Sequence, residues 1–360
     1  METNKQALAL AGGVALAGVL GYSMFSRSQQ EAAPPQDGKL YHIGIETGGT
    51  TCKVGIMHGA KSLAIIKQLV VETTTPQETV QKLCAFINEQ PEVFASIGIA
   101  AFGPLCLDRS SPSYGSVTTT PKLAWQHAPL LKLILDGIDP SKKGPDFRVA
   151  FDTDVNLLAM FELENGGHTG VTDYLAYITV GTGVGVGFVV NGKCIHGMIH
   201  PEGGHVVVPP LSQEKTKYNF EGVCPYHGCC IEGLCTNVAI AKRLGLKSVD
   251  EVPNVPDDHE VWDMVGHYLG TMCANLTLTM SLNKIVIGGG VMNRGEVLFE
   301  KIRSAFAARL ANYLEHDQLK DLKNYIVRSK FENELGLISS AAVGASGEVW
   351  KDGSFNKMYD

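Results

Sequence analysis

Pro201-Glu202-Gly203-Gly204-His205 opens the stretch from which the rest of the chain can be read, and Cys224-Pro225-Tyr226-His227-Gly228-Cys229-Cys230-Ile231-Glu232-Gly233 closes it. The closing half places Cys224, His227 and Cys230 three residues apart, with His205 upstream. Two thiolates and two imidazoles complete the tetrahedral shell of a structural zinc, so we read His205, Cys224, His227 and Cys230 as its ligands. A metal here would pin a loop of about 19 residues and fix the flanking Glu202 and Glu232, because metal-binding free energy doubles as folding free energy. The competing reading is a disulfide-bonded or merely cysteine-rich loop, which leaves both histidines without a role. Cys229 neighbours Cys230 and is an alternative ligand; we take it as a spare.

Working outward, the chain has 360 residues, enough for two domains of ordinary size. Lys and Arg number 30 against 37 Asp and Glu, a net charge of -7. That balance offers no general attraction to phosphate backbones, and no Lys/Arg-rich run or recognition helix is present, which argues against nucleic acid as a partner. The 40 glycines fall in clusters, which points to tight loops approaching a ligand. Nine cysteines form no regular framework and, with histidine at metal spacing, suit a reducing compartment.

The front of the chain is different. Residues 7–25 are nearly all apolar, about the length that crosses a bilayer as a helix, although Gly and Ala dominate. Three readings stand: a transmembrane anchor with the body facing the cytosol, a cleaved signal or organelle-targeting segment, and a soluble or disordered extension. Residues 26–39 read as a flexible linker, and the folded body should begin near Leu40.

Along the body, a strand over 41–45, the turn Thr47-Gly48-Gly49-Thr50-Thr51 and a strand over 52–57 make a hairpin. It is not the Walker loop, which needs Gly-Lys-Ser/Thr before a helix. Its backbone amides and hydroxyls can meet a phosphate, although an ordinary glycine hairpin would look the same. A helix over 77–89 buries Val80, Leu83, Cys84 and Ile87 on one face. A strand over 96–101 ends at Phe102-Gly103-Pro104, and a helix over 129–136 follows the polar Thr118-Thr119-Thr120-Pro121-Lys122 loop. A strand over 147–152 runs into Asp152-Thr153-Asp154-Val155-Asn156 and a helix over 155–165. A carboxylate at a strand's carboxyl end is well placed for chemistry in a cleft, and the plainer role for Asp154 is helix capping.

The second half repeats this plan. A strand over 174–180, the turn Gly181-Thr182-Gly183-Val184-Gly185 and a strand over 186–190 suggest a second lobe related to the first, each on a five-stranded mixed sheet. Helices are predicted over 236–244, 259–280 and 299–314, and strands over 284–287 and 325–329. Gly288-Gly289-Gly290-Val291-Met292 follows the first of these strands. A small-residue helix over 335–350 should return to pack on the first lobe. The expected division is 1–39, 40–155 completed by 335–350, and 156–334.

The Gly-Gly-Thr hairpin, Asp154-Val155-Asn156 after a strand, the Gly-Thr-Gly hairpin and the Gly-Gly-Gly-Val turn, in that order, resemble the sugar-kinase, heat-shock ATPase and actin superfamily. The zinc stretch, with Phe102-Gly103-Pro104 and Thr120-Pro121-Lys122, is similar to the ROK family of repressors and sugar kinases, and within it to the fructokinases. The resemblance covers roughly residues 41–350. It implies an α/β, two-lobed actin/hexokinase-like ATPase fold with ribonuclease H-like lobes and a zinc-bound loop in the second lobe.

The activity it implies is ATP-dependent phosphorylation of the fructose 6-hydroxyl, with Asp154 as general base and Asp152 as its rival. Gly103, Pro104, Thr153, Asp154, Glu202, His205 and Glu232 would meet the sugar, His205 ligating zinc while orienting Glu202. The alternative for the glutamates is support of the zinc ligands. Gly48, Gly49, Thr50, Thr51 and Lys53 would contact phosphate from one lobe and Gly181, Thr182 and Gly183 from the other, while Gly288, Gly289 and Gly290 would lie against the adenosine. Mg²⁺ would bridge the phosphates, reached through water by Glu46, which stands where many superfamily members carry Asp. The resemblance also implies a homodimer. Other readings are a kinase for mannose, glucose or an N-acetyl hexosamine, and a sugar-sensing protein without catalysis. ROK repressors carry a DNA-binding helix-turn-helix at the front, where this chain has an apolar segment and linker.

Overall fold

The computed structural model describes residues 40–120, 122–168, 173–331, 335–351 and 354–355. Strands β1 (Tyr41–Thr47) and β2 (Thr51–His58) pair antiparallel around the glycine turn, with Glu46 opposite Lys53 and Thr47 opposite Cys52. β3 (Ile65–Glu72) adds to β2 as an edge strand. α1 (Pro76–Asn88) starts where the Thr75 hydroxyl accepts the Glu78 amide at 3.3 Å and Pro76 occupies the first turn. Its 3.6-residue period buries Val80, Leu83, Cys84 and Ile87, as predicted. β4 (Phe94–Ala101), α2 (Leu130–Gly137), β5 (Lys143–Thr153) and α3 (Asp154–Asn165) follow.

The second half contains β6 (Leu175–Val180), β7 (Val184–Val190), β8 (Lys193–Cys194), α4 (Ser212–Thr216), α5 (Ile231–Cys235), α6 (Asn237–Leu244) and α7 (Val261–Met280). It continues through β9 (Lys284–Gly288), α8 (Glu296–Leu310), α9 (Asp317–Lys320), α10 (Leu322–Tyr325) and β10 (Ile326–Arg328). The chain then forms α11 (Leu335–Ala345), β11 (Glu348–Lys351) and β12 (Ser354–Phe355).

Two sheets result, ordered β12-β11-β5-β4-β1-β2-β3 and β10-β9-β6-β7-β8. The run β5-β4-β1-β2-β3 matches the second sheet strand for strand in order and direction, with the same antiparallel hairpin followed by parallel neighbours. This is the two-lobed actin/hexokinase-like architecture. Two expectations are corrected here. The terminal helix stops at Ala345 rather than 350, and the first sheet exceeds five strands among the described residues. The cause is one and the same: the free edge of β5 offers unpaired backbone groups, and β11 takes them antiparallel, Glu348 opposite Val149.

Helices α3 and α11 lie between the sheets. α3 packs on β6, β7 and α11, while α11 packs on β1 and β4. The approach of α11 is close enough that a Cβ on Gly98 would stand 1.8 Å from the Ser340 carbonyl oxygen. In the second lobe α7 packs along α8, and Trp262, Tyr268, Phe299 and Phe306 are fully buried there. Each such side chain contributes about 1.5–3 kcal/mol.

The expected transmembrane helix, and with it the membrane-anchored location, is withdrawn. Among the described residues no helix is long and apolar enough to cross a membrane. Residues 7–25, on which that expectation rested, lie outside the described residues. The weakness was in the composition: Ala and Gly remove little apolar surface from water per residue, so length alone carried the reading.

Candidate active site

Strands β1, β4 and β5 run parallel and in register, so Thr47, Ala101 and Thr153 end together at one edge. That edge carries the first glycine turn, Phe102-Gly103-Pro104 and the start of α3. β6 and β9 bring the second glycine turn and Gly288 to the matching edge of the other sheet. Between these edges opens a cavity of about 320 Å³, lined by Glu46, Lys53 and Asp154 from the first half, by Tyr177, Thr179 and Gly288 to Gly290 from the second, and by Leu335 and Gly336 of α11. Strand carboxyl ends facing a crevice are where α/β sheets bind ligands.

The two hairpins have similar tips. Gly48 donates its amide to the Thr51 carbonyl at 3.0 Å, and Gly181 donates to the Gly183 carbonyl at 2.9 Å. Gly49, Thr50, Thr51 and Thr182 are exposed. Gly289 holds a φ of +94°, and a Cβ there would press on the Val180 backbone at 2.5 Å, so the turn after β9 admits only glycine. Lys53 and Glu46 are ion-paired at 2.9 Å across the hairpin, half-exposed on the cavity wall.

Asp154 begins α3, its Oδ1 accepting the Val155 amide at 2.9 Å. Burial first, then the charges of Glu46 and Asp152, push its carboxyl up to about 6 against that hydrogen bond. The capping role belongs to Thr153, whose buried hydroxyl accepts the Asn156 amide at 3.2 Å. Asp152 is occupied on both oxygens. Oδ1 accepts from the Thr153 amide and Asn156 Nδ2, each at 2.7 Å, and Oδ2 lies 2.8 Å from His196 Nε2.

Glu202 and Glu232 approach from the second lobe. Burial, and after it the charges of Asp154 and Glu232, push the Glu202 carboxyl up to about 7. Glu232, in the first turn of α5, accepts the Val184 amide at 3.1 Å. Gly103 is half-buried against the His200 ring, and the Pro104 carbonyl accepts from the Thr118 amide and hydroxyl at 2.8 and 3.0 Å. Pro121 of the Thr120-Pro121-Lys122 motif lies outside the described residues.

His205, Cys224, His227 and Cys230 converge, with one ligand atom from each within 4.8 Å of all the others. His205 Nδ1 lies 3.7 Å from both sulfurs, and His227 Nδ1 lies 3.6 Å from Cys224 Sγ. Ligand bonds of about 2.3 Å to sulfur and 2.05 Å to nitrogen at tetrahedral angles give an N···S edge of about 3.6 Å, so the group has the dimensions of a tetrahedral site. No disulfide forms among the nine cysteines, and Cys229 stays outside the group. The knuckle is shaped by Gly228, whose amide donates to the Cys224 carbonyl at 2.9 Å. Cys230 caps α5, so the group sits two residues from Glu232.

The loop leading into this knuckle has its own anchor. Glu214 of α4 accepts two bonds from Arg243 of α6, at 2.9 and 2.8 Å, and one from the Tyr268 hydroxyl of α7 at 2.9 Å, all buried.

Two histidines here carried no signal in the sequence. His196 is bonded to Asp152, a bond that raises its pKa against burial. His200 is buried between Leu105 and Glu202. A third, His168, pairs at 2.9 Å with the buried Glu162, whose other oxygen accepts from Ser329 on the cavity wall.

Comparison with known proteins agrees with this fold. The ROK family profile matches residues 42–345. The fructokinase of Zymomonas mobilis is 37% identical over 322 residues, covering 87% of this chain and 98% of that protein. The fructokinase of Lactococcus lactis subsp. cremoris is 34% identical over 276 residues, 77% of this chain and 87% of that one. Among solved structures, a ROK family glucokinase from Streptomyces griseus in complex with glucose and AMPPNP superposes with a TM-score of 0.62 at 23% identity, over 85% of this chain and all of that one. An actin/hexokinase-like ATPase fold with a Cys/His group beside its cleft is thus what sequence and structure share. The chain belongs to the ROK family.

Proposed function

We propose that this protein transfers the γ-phosphoryl group of ATP to a hexose, and that the hexose is fructose, phosphorylated at its 6-hydroxyl. The observation that carries the reading is Asp154, a carboxylate at a strand-to-helix junction on the wall of a cleft whose two sides each present a glycine hairpin. Identity of 34–37% to two proteins named fructokinase, over most of their length, supports the choice of sugar.

In this reading Asp154 accepts the proton of the sugar hydroxyl as that oxygen attacks phosphorus and the ADP oxygen leaves. A carboxyl raised to about 6 is a better base than an ordinary one and is still ionised at neutral pH. Asp152 is a poorer base because both its oxygens are engaged. Glu202 and Glu232 accept sugar hydroxyls through their carboxyl oxygens. Gly103 and Pro104 close the sugar site from the first lobe, and the Thr153 hydroxyl serves the fold as a cap. His205 braces the loop that carries Glu202.

Gly48 to Thr51 with Lys53, and Gly181 to Gly183, meet the phosphates, while Gly288 to Gly290 lie against the adenosine. ATP enters as its magnesium complex, whose water shell Glu46 is placed to meet. His205, Cys224, His227 and Cys230 would hold one zinc, a closed site that fixes α5 and hence Glu232. The protein acts as a homodimer in this reading, and sedimentation of the purified protein at micromolar concentration is expected to give twice the chain mass.

The test is ADP release by the purified full-length protein with ATP, Mg²⁺ and single hexoses. Turnover selective for fructose supports the reading. Turnover favouring mannose, glucose or an N-acetyl hexosamine keeps the kinase and discards fructose.

A further inference from the structure

His200 is a buried ring beside the cleft that the proposed chemistry leaves without a task. It precedes Glu202 by two residues and is 3% exposed. Its Nε2 receives the Leu105 amide at 3.0 Å. A backbone amide only donates, so Nε2 carries no proton. The proton of the neutral ring therefore sits on Nδ1. On that side the ring bonds the backbone of Pro201, which has a carbonyl but no N–H to offer, and the Glu202 Oε1 stands 3.5 Å from Nδ1 as a neighbour without a hydrogen bond. Burial keeps the ring neutral, outweighing the nearby charge of Asp152. The ring also lies on Gly103, where a Cβ would stand 3.1 Å from Cε1 and 3.2 Å from Nε2. Gly103 and Leu105 belong to the loop after β4 in the first lobe, and Glu202 to the second.

We propose that His200 is a positioning residue for the sugar site that works on both lobes at once. Through Nε2 and its ring face it holds the Gly103-Pro104 loop, and through Nδ1–H it holds the Pro201 backbone, and so the place of the adjacent Glu202 carboxyl. The inference rests on reading the cleft as a hexose site. His200 is not among the residues lining the cavity of Lys53 and Gly288 to Gly290, so its effect falls on the sugar and not on the nucleotide. It also gives Gly103 a reason of its own: any side chain there would push the ring off Leu105 or the loop off the ring.

The test uses the full-length protein and three variants. His200→Phe keeps the volume and removes both nitrogens. His200→Gln restores an acceptor and a donor. Gly103→Ala displaces the ring. His200→Phe is expected to raise KM for fructose about tenfold, equal to about 1.4 kcal/mol, with KM for ATP within about twofold of the parent. Gly103→Ala should follow it, and His200→Gln should recover much of the loss. A second readout needs no turnover: long-range ¹H–¹⁵N spectra of histidine-labelled protein, with His200 assigned by its absence in His200→Gln, should show a neutral ring protonated on Nδ1. A fructose KM unchanged in His200→Phe would overturn the proposal. So would equal rises in both KM values that His200→Gln does not relieve, or a ring protonated on Nε2. If the parent phosphorylates no hexose, the kinase reading fails by itself, and the tautomer still decides whether His200 joins Leu105 to the Pro201 backbone.

Discussion

Asp154 is held at a cost to the fold, and that cost makes its role measurable. Replacement by Asn is expected to lower kcat by about 10²–10⁴-fold, with zinc content and circular dichroism unchanged. Asp152→Asn should cost less, and mainly through the His196 and Asn156 bonds it breaks. The pH dependence follows from the raised carboxyl. The base must be ionised, so kcat/KM should fall as pH drops through about 6. For stability the sign is opposite. A carboxyl whose folded pKa is raised binds its proton more tightly in the folded state, so stability is lost as pH rises from the ordinary 3.8 to about 6. Asp154→Asn should therefore melt higher than the parent at pH 8, and the gain should shrink at pH 4.5; an equal gain at both would show that Asp154 is not strained. In the sequence Asp154 was legible because a strand end and a helix start meet there. His196 and His200 were not, because their partners Asp152 and Leu105 lie 44 and 95 residues away. An isolated histidine in a loop leaves no local pattern.

At the scale of the elements, the proposed zinc gives a contrast to test. The knuckle of Cys224, His227 and Cys230 is held by backbone bonds, whereas α4 is tied to α6 and α7 by the side chains of Glu214, Arg243 and Tyr268. Removing zinc by a chelator, or replacing Cys230 with Ser, should release the knuckle and α5, raise KM for sugar, and expose thiols to titration. Far-ultraviolet circular dichroism should change little. Arg243→Ala, by contrast, leaves Glu214 buried without its ion partner and should destabilise the whole body by about 3–5 kcal/mol, read by urea denaturation. Gly98→Ala tests the seat of α11, where a Cβ would collide with the Ser340 carbonyl, and a loss of about 1–3 kcal/mol or more is expected. Helices with one apolar face were legible, α1 with Val80, Leu83, Cys84 and Ile87 being the clearest. β3 escaped notice because its burial alternates weakly at a sheet edge. β11 escaped because its partner, β5, is two hundred residues upstream in the chain and only the folded sheet offers its edge.

At the scale of the whole molecule, two copies of one β-plan are present, and their matched edges carry the glycine turns, with Asp154 at the start of α3 beside them. This symmetry was legible from the two Gly/Thr hairpins, since hairpin turns are local. The exact width of the cleft and the depth to which Asp154 and Glu202 are buried were not, because they follow from how α3 and α11 pack between the sheets. Closure of such lobes over sugar excludes water, so ATP hydrolysis without sugar should be slow relative to turnover with it, as ADP release in the absence of hexose would show. The most direct measurement is turnover of the full-length protein with ATP, Mg²⁺ and a panel of hexoses, with the product identified by ³¹P NMR and sugar binding measured by calorimetry on the same sample. Selective phosphorylation of fructose at O6 is the expected result. A folded, zinc-bearing protein that binds sugar yet releases no ADP with any hexose would contradict it.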